Sequence, residues 1–211
     1  MDIVNYLTTI YGYNTPIFLK DIRIGKKSKT AIKEAFYRAT KEGKMIRNSN
    51  GIYYIKGDQE FGNVITFEKI VDKKFIYEND GPFKELFICG YYSGMTFLNR
   101  IGLSEQVPAI LEITTNNTSS KKREYIVAGR KAFIRKGKTT ITSQNYKMLQ
   151  FLDMFRWIPL YIIDENKDLI INYINKEKLT RSQFNEYISL YPTDTIKKIV
   201  EGGLIDAFLK Q

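Results

Sequence analysis

The chain has 211 residues, of which 43% are hydrophobic, and a formal net charge of +10 at pH 7. Its 15 tyrosines and 13 phenylalanines supply ample apolar surface for a packed core, so the composition does not predict disorder. The absence of histidine excludes a Ser-His-Asp triad and histidine-ligated zinc, and the single cysteine excludes an internal disulfide. No apolar run approaches the roughly 20 residues of a membrane span, and no secretory signal is visible, so we expect a cytoplasmic protein without a membrane partner.

Much of the positive charge lies in the first 57 residues, where eleven basic and four acidic residues give a net charge of +7. Apolar residues at helical spacing predict a first helix that begins near Ile3 and ends near Gly12. Thr15-Pro16 has the form of a helix start, because a hydroxyl can cap a helix and proline is favoured at its first position. It predicts a second helix that ends at Gly25.

A third helix and a hairpin complete this N-terminal pattern. Ser28 is placed to cap a helix that continues to about Glu42. Two apolar segments then flank Asn50-Gly51, the strongest short hairpin signal, because both residues accept a positive φ. Three helices closed by a hairpin are typical of a winged helix-turn-helix, which we predict over residues 1–57.

The remaining residues, 60–211, mix helix and strand patterns and predict a mixed α/β C-terminal domain. The predicted fold class is therefore α+β. The clearest later elements are helices over 93–101 and 144–155, strands over 109–115, 124–128 and 131–135, a helix capped by Thr180 and Gln183, and a last helix that begins at Thr193 or Asp194. Asp164, Glu165 and Asp168 lie in a polar gap that a solvated turn explains, so no metal site is predicted.

The predicted third helix is the candidate recognition element. Such a helix presents its N-terminal half to base edges, while flanking basic residues contact phosphates. The hairpin supplies further contacts to an adjacent backbone or minor groove. The predicted DNA-contacting residues are Lys26, Lys27, Lys29, Thr30, Lys33, Tyr37, Lys41, Arg47, Asn48 and Asn50. An ordinary solvated helix face is the alternative interpretation.

A second basic stretch spans residues 121–138, where eight basic residues and one acidic residue give a net charge of +7. Basic and apolar residues alternate on two predicted strands, which would make one face of a small sheet basic. That face is either merely solvated, or it binds a phosphate backbone or an acidic or RNA-bound partner. The residues predicted to form this surface are Lys121, Lys122, Arg123, Arg130, Lys131 and Arg135.

Five groups of residues, in their order along the chain, match one family. They are YNTPIF at 13–18, GIYYI at 51–55, GYYSG at 90–94, GLSEQVP at 102–108 leading into EITTNN at 112–117, and LQFLD at 149–153. Together they resemble the AbiEi-type antitoxins of bacterial type IV toxin–antitoxin, or abortive infection, systems. The resemblance extends over nearly the whole chain.

That resemblance implies an N-terminal winged helix that represses its own operon by binding duplex operator DNA. It also implies a C-terminal domain that counteracts a nucleotidyltransferase-like toxin. No catalysis by this chain and no cofactor are implied. Antitoxins of this family need not form a stable complex with the toxin, so direct contact is left open.

Two other classes of function remain open on the sequence. A metal-dependent nuclease with a winged-helix targeting domain would need acids and a lysine on adjacent strand ends. Glu112 and Glu124 lie on predicted strands, but no Asp-xn-Glu-x-Lys spacing accompanies them. A winged-helix adaptor that binds only proteins is the third class.

Overall fold

The computed structural model describes residues 2–57, 64–79 and 86–209, which form a mixed α+β protein. The chain divides into two compact units, each discontinuous in sequence. Unit 1 comprises Met1–Lys74, Glu78–Leu86 and Val127–Arg130, and unit 2 comprises Phe75–Tyr77, Phe87–Ile126 and Lys131–Gln211. In the part of the chain that is described, no helix is long and apolar enough to cross a membrane.

This division differs from the predicted one. The predicted boundary lay between residues 57 and 60, whereas unit 1 continues to Lys74 and includes two later segments. Residues 58 and 59, which separate the two predicted domains, lie outside the described residues.

Unit 1 is a small helical layer beside a three-stranded antiparallel sheet with the strand order β1-β3-β2. Its elements are α1 (Ile3–Tyr11), β1 (Ile17–Phe18), α2 (Lys29–Lys41), β2 (Ile46–Ser49), β3 (Ile52–Tyr54) and α3 (Phe67–Val71). Apolar side chains of α1, β1, α2 and β3 pack into one core, in which the Phe36 ring meets the Tyr53 ring edge-on at 5.0 Å.

The predicted second helix is wrong. Thr15-Pro16 leads instead into β1, followed by a short 3-10 turn at Leu19–Asp21. Ile17 pairs with Tyr53, and the Leu19 amide donates to the Gly51 carbonyl at 2.9 Å. The Thr15 hydroxyl donates to the Tyr13 carbonyl and does not cap a helix. Pairing with β3 therefore overrides the local helix-start signal.

The elements that follow α3 belong mainly to unit 2. They are β4 (Tyr77–Asn79), β5 (Leu86–Ile88), β6 (Gly90–Tyr92), α4 (Gly94–Arg100), β7 (Leu111–Thr115), β8 (Arg123–Val127), β9 (Arg130–Lys136), α5 (Tyr146–Met154), α6 (Leu160–Glu165), α7 (Lys167–Lys176), α8 (Arg181–Tyr187), α9 (Thr193–Glu201) and α10 (Ile205–Leu209). A π-helical turn at Asp72–Ile76 precedes β4, which pairs with β5. The strand order of the larger sheet is β6-β7-β9-β8.

The sheet of unit 2 combines parallel and antiparallel pairs. Strand β6 is antiparallel to β7, whereas β7 is parallel to β9. The tight connection from β8 to β9 contains Ala128 at φ 48° and Gly129 at φ 77°, a left-handed pair typical of two-residue hairpin turns. The parallel pairing places the carboxyl ends of β7 and β9 at the same edge, with Thr115 opposite Lys136.

Helix α5 forms the centre of the unit 2 core. All seven residues from Met148 to Met154 are buried, as expected of a helix that is enclosed on every side. The Phe151 ring packs edge-on against the rings of Phe155 at 5.0 Å and Phe208 at 5.7 Å. Strand β6 and helices α4 and α6 to α10 also contribute buried side chains to this core.

The predicted later helices are found with small changes. The capping box is present in full, since the Gln183 amide donates to the Thr180 hydroxyl and the Thr180 amide to the Gln183 side chain. Helix α9 was predicted as the last one, but α10 follows it. The acidic residues of the predicted turn are exposed on α6 and α7, and among the described residues no cluster of metal-ligating side chains occurs.

Candidate nucleic-acid interface

Helix α2 begins and ends where the sequence predicts. The Ala31 amide donates to the Ser28 hydroxyl at 3.1 Å, which satisfies one of the free N–H groups at the helix start. The last helical residue is Lys41, Glu42 is the C-terminal cap, and Gly43 at φ 71° changes the direction of the chain. Capping at both ends fixes thirteen residues as a rigid rod.

One face of α2 is buried and the opposite face is exposed. Ile32, Phe36 and Ala39 are buried in the core of unit 1. Thr30, Lys33, Tyr37 and Lys41 all lie exposed within one arc of about 80°, and 67% of the Tyr37 surface is open to solvent. An exposed aromatic ring flanked by lysines offers both a flat apolar contact and positive charge.

The lysines around this face are unpaired. Lys26, Lys27 and Lys29 are exposed at the start of α2, ahead of Lys33 and Lys41 on its outward face. Within residues 2–57, 64–79 and 86–209, none of the five forms an ion pair, although nearby Lys44 bonds Glu42 at 2.7 Å. Their charges are therefore available to an external polyanion.

The hairpin residues are more constrained. The Arg47 guanidinium donates to the Asn50 side chain at 3.1 Å and to the Ser49 carbonyl at 3.4 Å, which holds it along the hairpin tip. Asn48 lies at a β-bulge, and its side-chain oxygen is buried without a hydrogen-bond partner among the described residues. Only Arg47 and Asn50 are exposed among the predicted contacts of this hairpin.

Arg38 is a candidate contact that the sequence prediction omitted. It is exposed on α2, one residue beyond Tyr37. Its position on the helix, next to the exposed arc that contains Lys33 and Lys41, could have identified it as a contact from the sequence. The acidic Glu34 is also exposed on this helix and lowers the local positive charge.

The second basic stretch is less basic in the fold than in the sequence. Three of its six predicted surface residues form ion pairs: Arg130 with Glu68 at 2.8 Å, Lys131 with Glu124 at 3.0 Å, and Arg135 with Glu112 at 3.0 Å. Lys131 and Arg135 lie on the same face of β9, and both charges are neutralised by their ion pairs. That face is therefore not the uniformly basic surface that the alternation of basic and apolar residues predicted.

The Arg135–Glu112 pair is structural. The side chains of Arg135 and Glu112 are only 16% and 13% exposed, and the guanidinium lies 4.5 Å from the centre of the Trp157 ring. Glu112 also accepts the Met95 amide at 3.0 Å. A Cβ atom at Gly94 would collide with this carboxylate, so the glycine allows the close approach. Arg135 is thus not part of an exposed surface.

The other members of the stretch stay exposed. Lys121, Lys122 and Arg123 precede and begin β8, and none of them has an ion-pair partner among the described residues. The Lys122 ammonium lies 3.9 Å above the Phe133 ring. Burial raises the pKa of Tyr125 to about 12, against a smaller opposing effect of Arg123, so this phenol is neutral at pH 7.

Residues of three sequence blocks, at 90–94, 112–117 and 149–153, meet in the buried interior of unit 2. The Thr114 hydroxyl lies 3.1 Å from the Ser93 hydroxyl and 3.4 Å from an Asp153 carboxylate oxygen, and Arg156 donates to the other oxygen at 2.9 Å. The Gln150 side chain donates to the Tyr92 carbonyl at 2.7 Å. These blocks therefore stabilise the fold of unit 2.

In a comparison with known proteins, no family model, curated protein or solved structure matches the chain.

Proposed function

We propose that this chain is the antitoxin and transcriptional autorepressor of a bacterial type IV toxin–antitoxin operon. Unit 1 is a winged helix that binds operator DNA, and unit 2 counteracts a nucleotidyltransferase-like toxin. The observation that carries the DNA-binding half is the exposed face of α2, where unpaired lysines surround an exposed tyrosine.

The topology of unit 1 supports this proposal. A capped helix is followed at once by a two-stranded hairpin, and β1 completes a small sheet in the order β1-β3-β2. In a winged helix the corresponding helix enters the major groove while the hairpin contacts the neighbouring backbone. Helix α2 has the length, the exposed face and the charge that this role needs.

Electrostatics favours α2 over the second basic stretch as the DNA-binding surface. Double-stranded DNA is bound mainly through phosphate neutralisation, which needs cations that are not already paired. The five lysines at α2 meet that condition, whereas half of the predicted surface residues in the second stretch do not.

The antitoxin half of the proposal rests on the family resemblance of the sequence blocks. The exposed residues Lys121, Lys122 and Arg123 are the part of the second stretch that remains able to contact a partner.

The test compares the operator region upstream of the gene with a scrambled duplex of equal length. The Lys33→Ala/Tyr37→Ala double variant is expected to lose sequence preference, since each base contact contributes about 1–3 kcal/mol of discrimination. Fluorescence anisotropy at fixed salt measures both affinities. The matched control is Tyr13→Ala/Lys56→Ala, which removes one exposed tyrosine and one exposed lysine of unit 1 away from α2.

Three outcomes would contradict the proposal. Equal operator preference in the double variant and the wild type would remove α2 as the reading element. An absence of operator binding by the wild-type chain would favour the protein-interaction adaptor. Magnesium-dependent cleavage of the duplex would favour the nuclease.

A further inference from the structure

A polar cleft of about 550 Å³ lies at the edge of the unit 2 sheet. It is lined by residues Asn116, Asn117, Thr118, Ser119, Ser120, Arg123 and Lys136. None of these is acidic or large and apolar, five carry amide or hydroxyl groups, and two carry positive charge. A volume of this size falls within the range of small-ligand sites.

The sheet topology builds this cleft. The loop from Asn116 to Ser120 leaves the carboxyl end of β7, and Lys136 is at the carboxyl end of the parallel strand β9, opposite Thr115. Ligands of sheets with parallel strands commonly bind outside such carboxyl ends. Arg123 begins β8 beside the end of β9, so both cations reach the same edge.

The loop is held in place by its own hydrogen bonds. The Asn116 side chain donates to the Ile141 carbonyl at 2.8 Å and accepts the Ile141 amide at 2.9 Å. The Asn117 amide donates to the Thr115 hydroxyl at 3.0 Å, and the Ser120 amide donates to the Thr118 hydroxyl at 3.3 Å. The cleft wall is therefore preorganised before any ligand arrives.

The two cations that line this cleft have no acidic partner among the described residues. Within the described residues, Lys136 forms no ion pair and the Ser119 hydroxyl forms no hydrogen bond. Among the residues that the structure describes, Arg123 donates one long hydrogen bond, 3.4 Å to the Asn117 carbonyl, while its guanidinium lies 5.5 Å from the Phe75 ring centre. Two cations beside hydroxyl groups match the oxygens of a phosphate group.

We propose that this cleft binds a phosphate group carried by a nucleotide or by a nucleic-acid strand. Arg123 and Lys136 neutralise the charge of the phosphate, and the hydroxyls of Ser119 and Ser120 donate to its oxygens. The cleft is distinct from the α2 surface, and the proposal holds whether or not α2 binds an operator.

The experiment uses the full chain and three probes: inorganic pyrophosphate, ATP and a single-stranded RNA of about 12 nucleotides. Calorimetric titration at low salt compares the wild type with Arg123→Gln/Lys136→Gln. Loss of two charge-assisted hydrogen bonds is expected to weaken binding by at least about tenfold. The matched control is Lys167→Gln/Lys176→Gln, which removes two exposed charges of α7 outside the cleft.

The pattern of loss identifies the source of the phosphate. If the cleft variant alone loses affinity for pyrophosphate and ATP, the result supports a nucleotide ligand. If it loses affinity for RNA alone, the result supports a nucleic-acid strand as the ligand. Failure of every probe to bind the wild type, equal binding by all three proteins, or an equal loss in the α7 control would overturn the proposal.

Folding and the proposed operator binding are checked in the same samples. If the double variant does not fold, Lys136→Gln alone serves, because the Lys136 side chain has no ion pair to lose in the described structure. Operator affinity should stay unchanged in both cleft variants, since none of the predicted operator contacts lines the cleft. A fall in operator affinity in the cleft variants would count against α2 as the operator-binding surface, whereas the three phosphate probes alone decide the cleft proposal.

Discussion

Two ion pairs of the unit 2 sheet differ in how far water reaches them. Glu112 and Arg135 are 13% and 16% exposed in their side chains, whereas Glu124 and Lys131 are 48% and 36% exposed. Removing one partner of a buried pair leaves an uncompensated charge in a region of low polarity. Removing one partner of an exposed pair leaves a charge that water solvates.

We therefore expect Glu112→Ala to lower the free energy of unfolding by about 3 kcal/mol, the lower end for a buried pair because a little water still reaches it. The matched Glu124→Ala change should cost less than about 1 kcal/mol. Urea unfolding followed by the fluorescence of Trp157, the only tryptophan, measures both values in unit 2. Equal losses of unfolding free energy in the two variants would mean that another group neutralises the Arg135 charge and that the Arg135–Glu112 pair does not stabilise the sheet.

The sequence predicted helices, strands and turns correctly where their local signals agree with the tertiary structure. Ser28 and Gly43 predicted both ends of α2, and Ala128 and Gly129 lie at the turn predicted between two strands. The sequence misled where a distant strand decides the structure. Residues 17–18 carry a helix-start signal, yet β3 needs a second partner on its open side, and no local pattern reveals that need.

Some features of the candidate site could likewise be predicted from the sequence, and others could not. The outward face of α2 follows from helix geometry alone, so its exposed lysines could be predicted. The neutralisation of the second basic stretch could not, because the partners of its arginines are far away in sequence. Glu68 is 62 residues from Arg130, and Glu112 is 23 residues from Arg135.

The start of α2 allows a test that separates phosphate contacts from base contacts. Lys26→Gln/Lys27→Gln should weaken operator and scrambled DNA equally. It should also flatten the slope of log K against log salt by about 0.9 for each phosphate that the variant no longer neutralises. Titrations at four salt concentrations measure the slope, with Lys20→Gln/Lys56→Gln as a control of equal charge change elsewhere in unit 1. The same flattening in the control would indicate diffuse attraction without a defined phosphate site.

For the whole molecule, the discontinuity of the two units determines how the two proposed activities can be tested separately. Unit 1 includes Val127–Arg130, the tip of the β8–β9 hairpin, where Arg130 bonds Glu68 at 2.8 Å. A truncation at residue 57 would remove α3 and that tip together. Point variants therefore test the division of function more cleanly than isolated fragments do.

The last prediction concerns that division. If unit 2 carries the antitoxin activity through its exposed basic residues, Lys121→Glu/Lys122→Glu should fail to restore colony formation in cells that express the cognate toxin. The same variant should still repress the operon promoter, because α2 and its lysines are unchanged. Both residues are exposed and outside any ion pair in the described structure, so Lys121→Glu should cost within about 0.5 kcal/mol. Lys122→Glu also removes the contact with the Phe133 ring, which contributes about 0.5–1 kcal/mol at an exposed site. A reporter fusion and a toxin-rescue assay in one strain measure both activities, with Lys167→Glu/Lys176→Glu as the matched charge reversal.

Full rescue by the first variant would leave residues 121 and 122 as a solvated edge of the sheet, and loss of rescue in both variants would trace the effect to net charge.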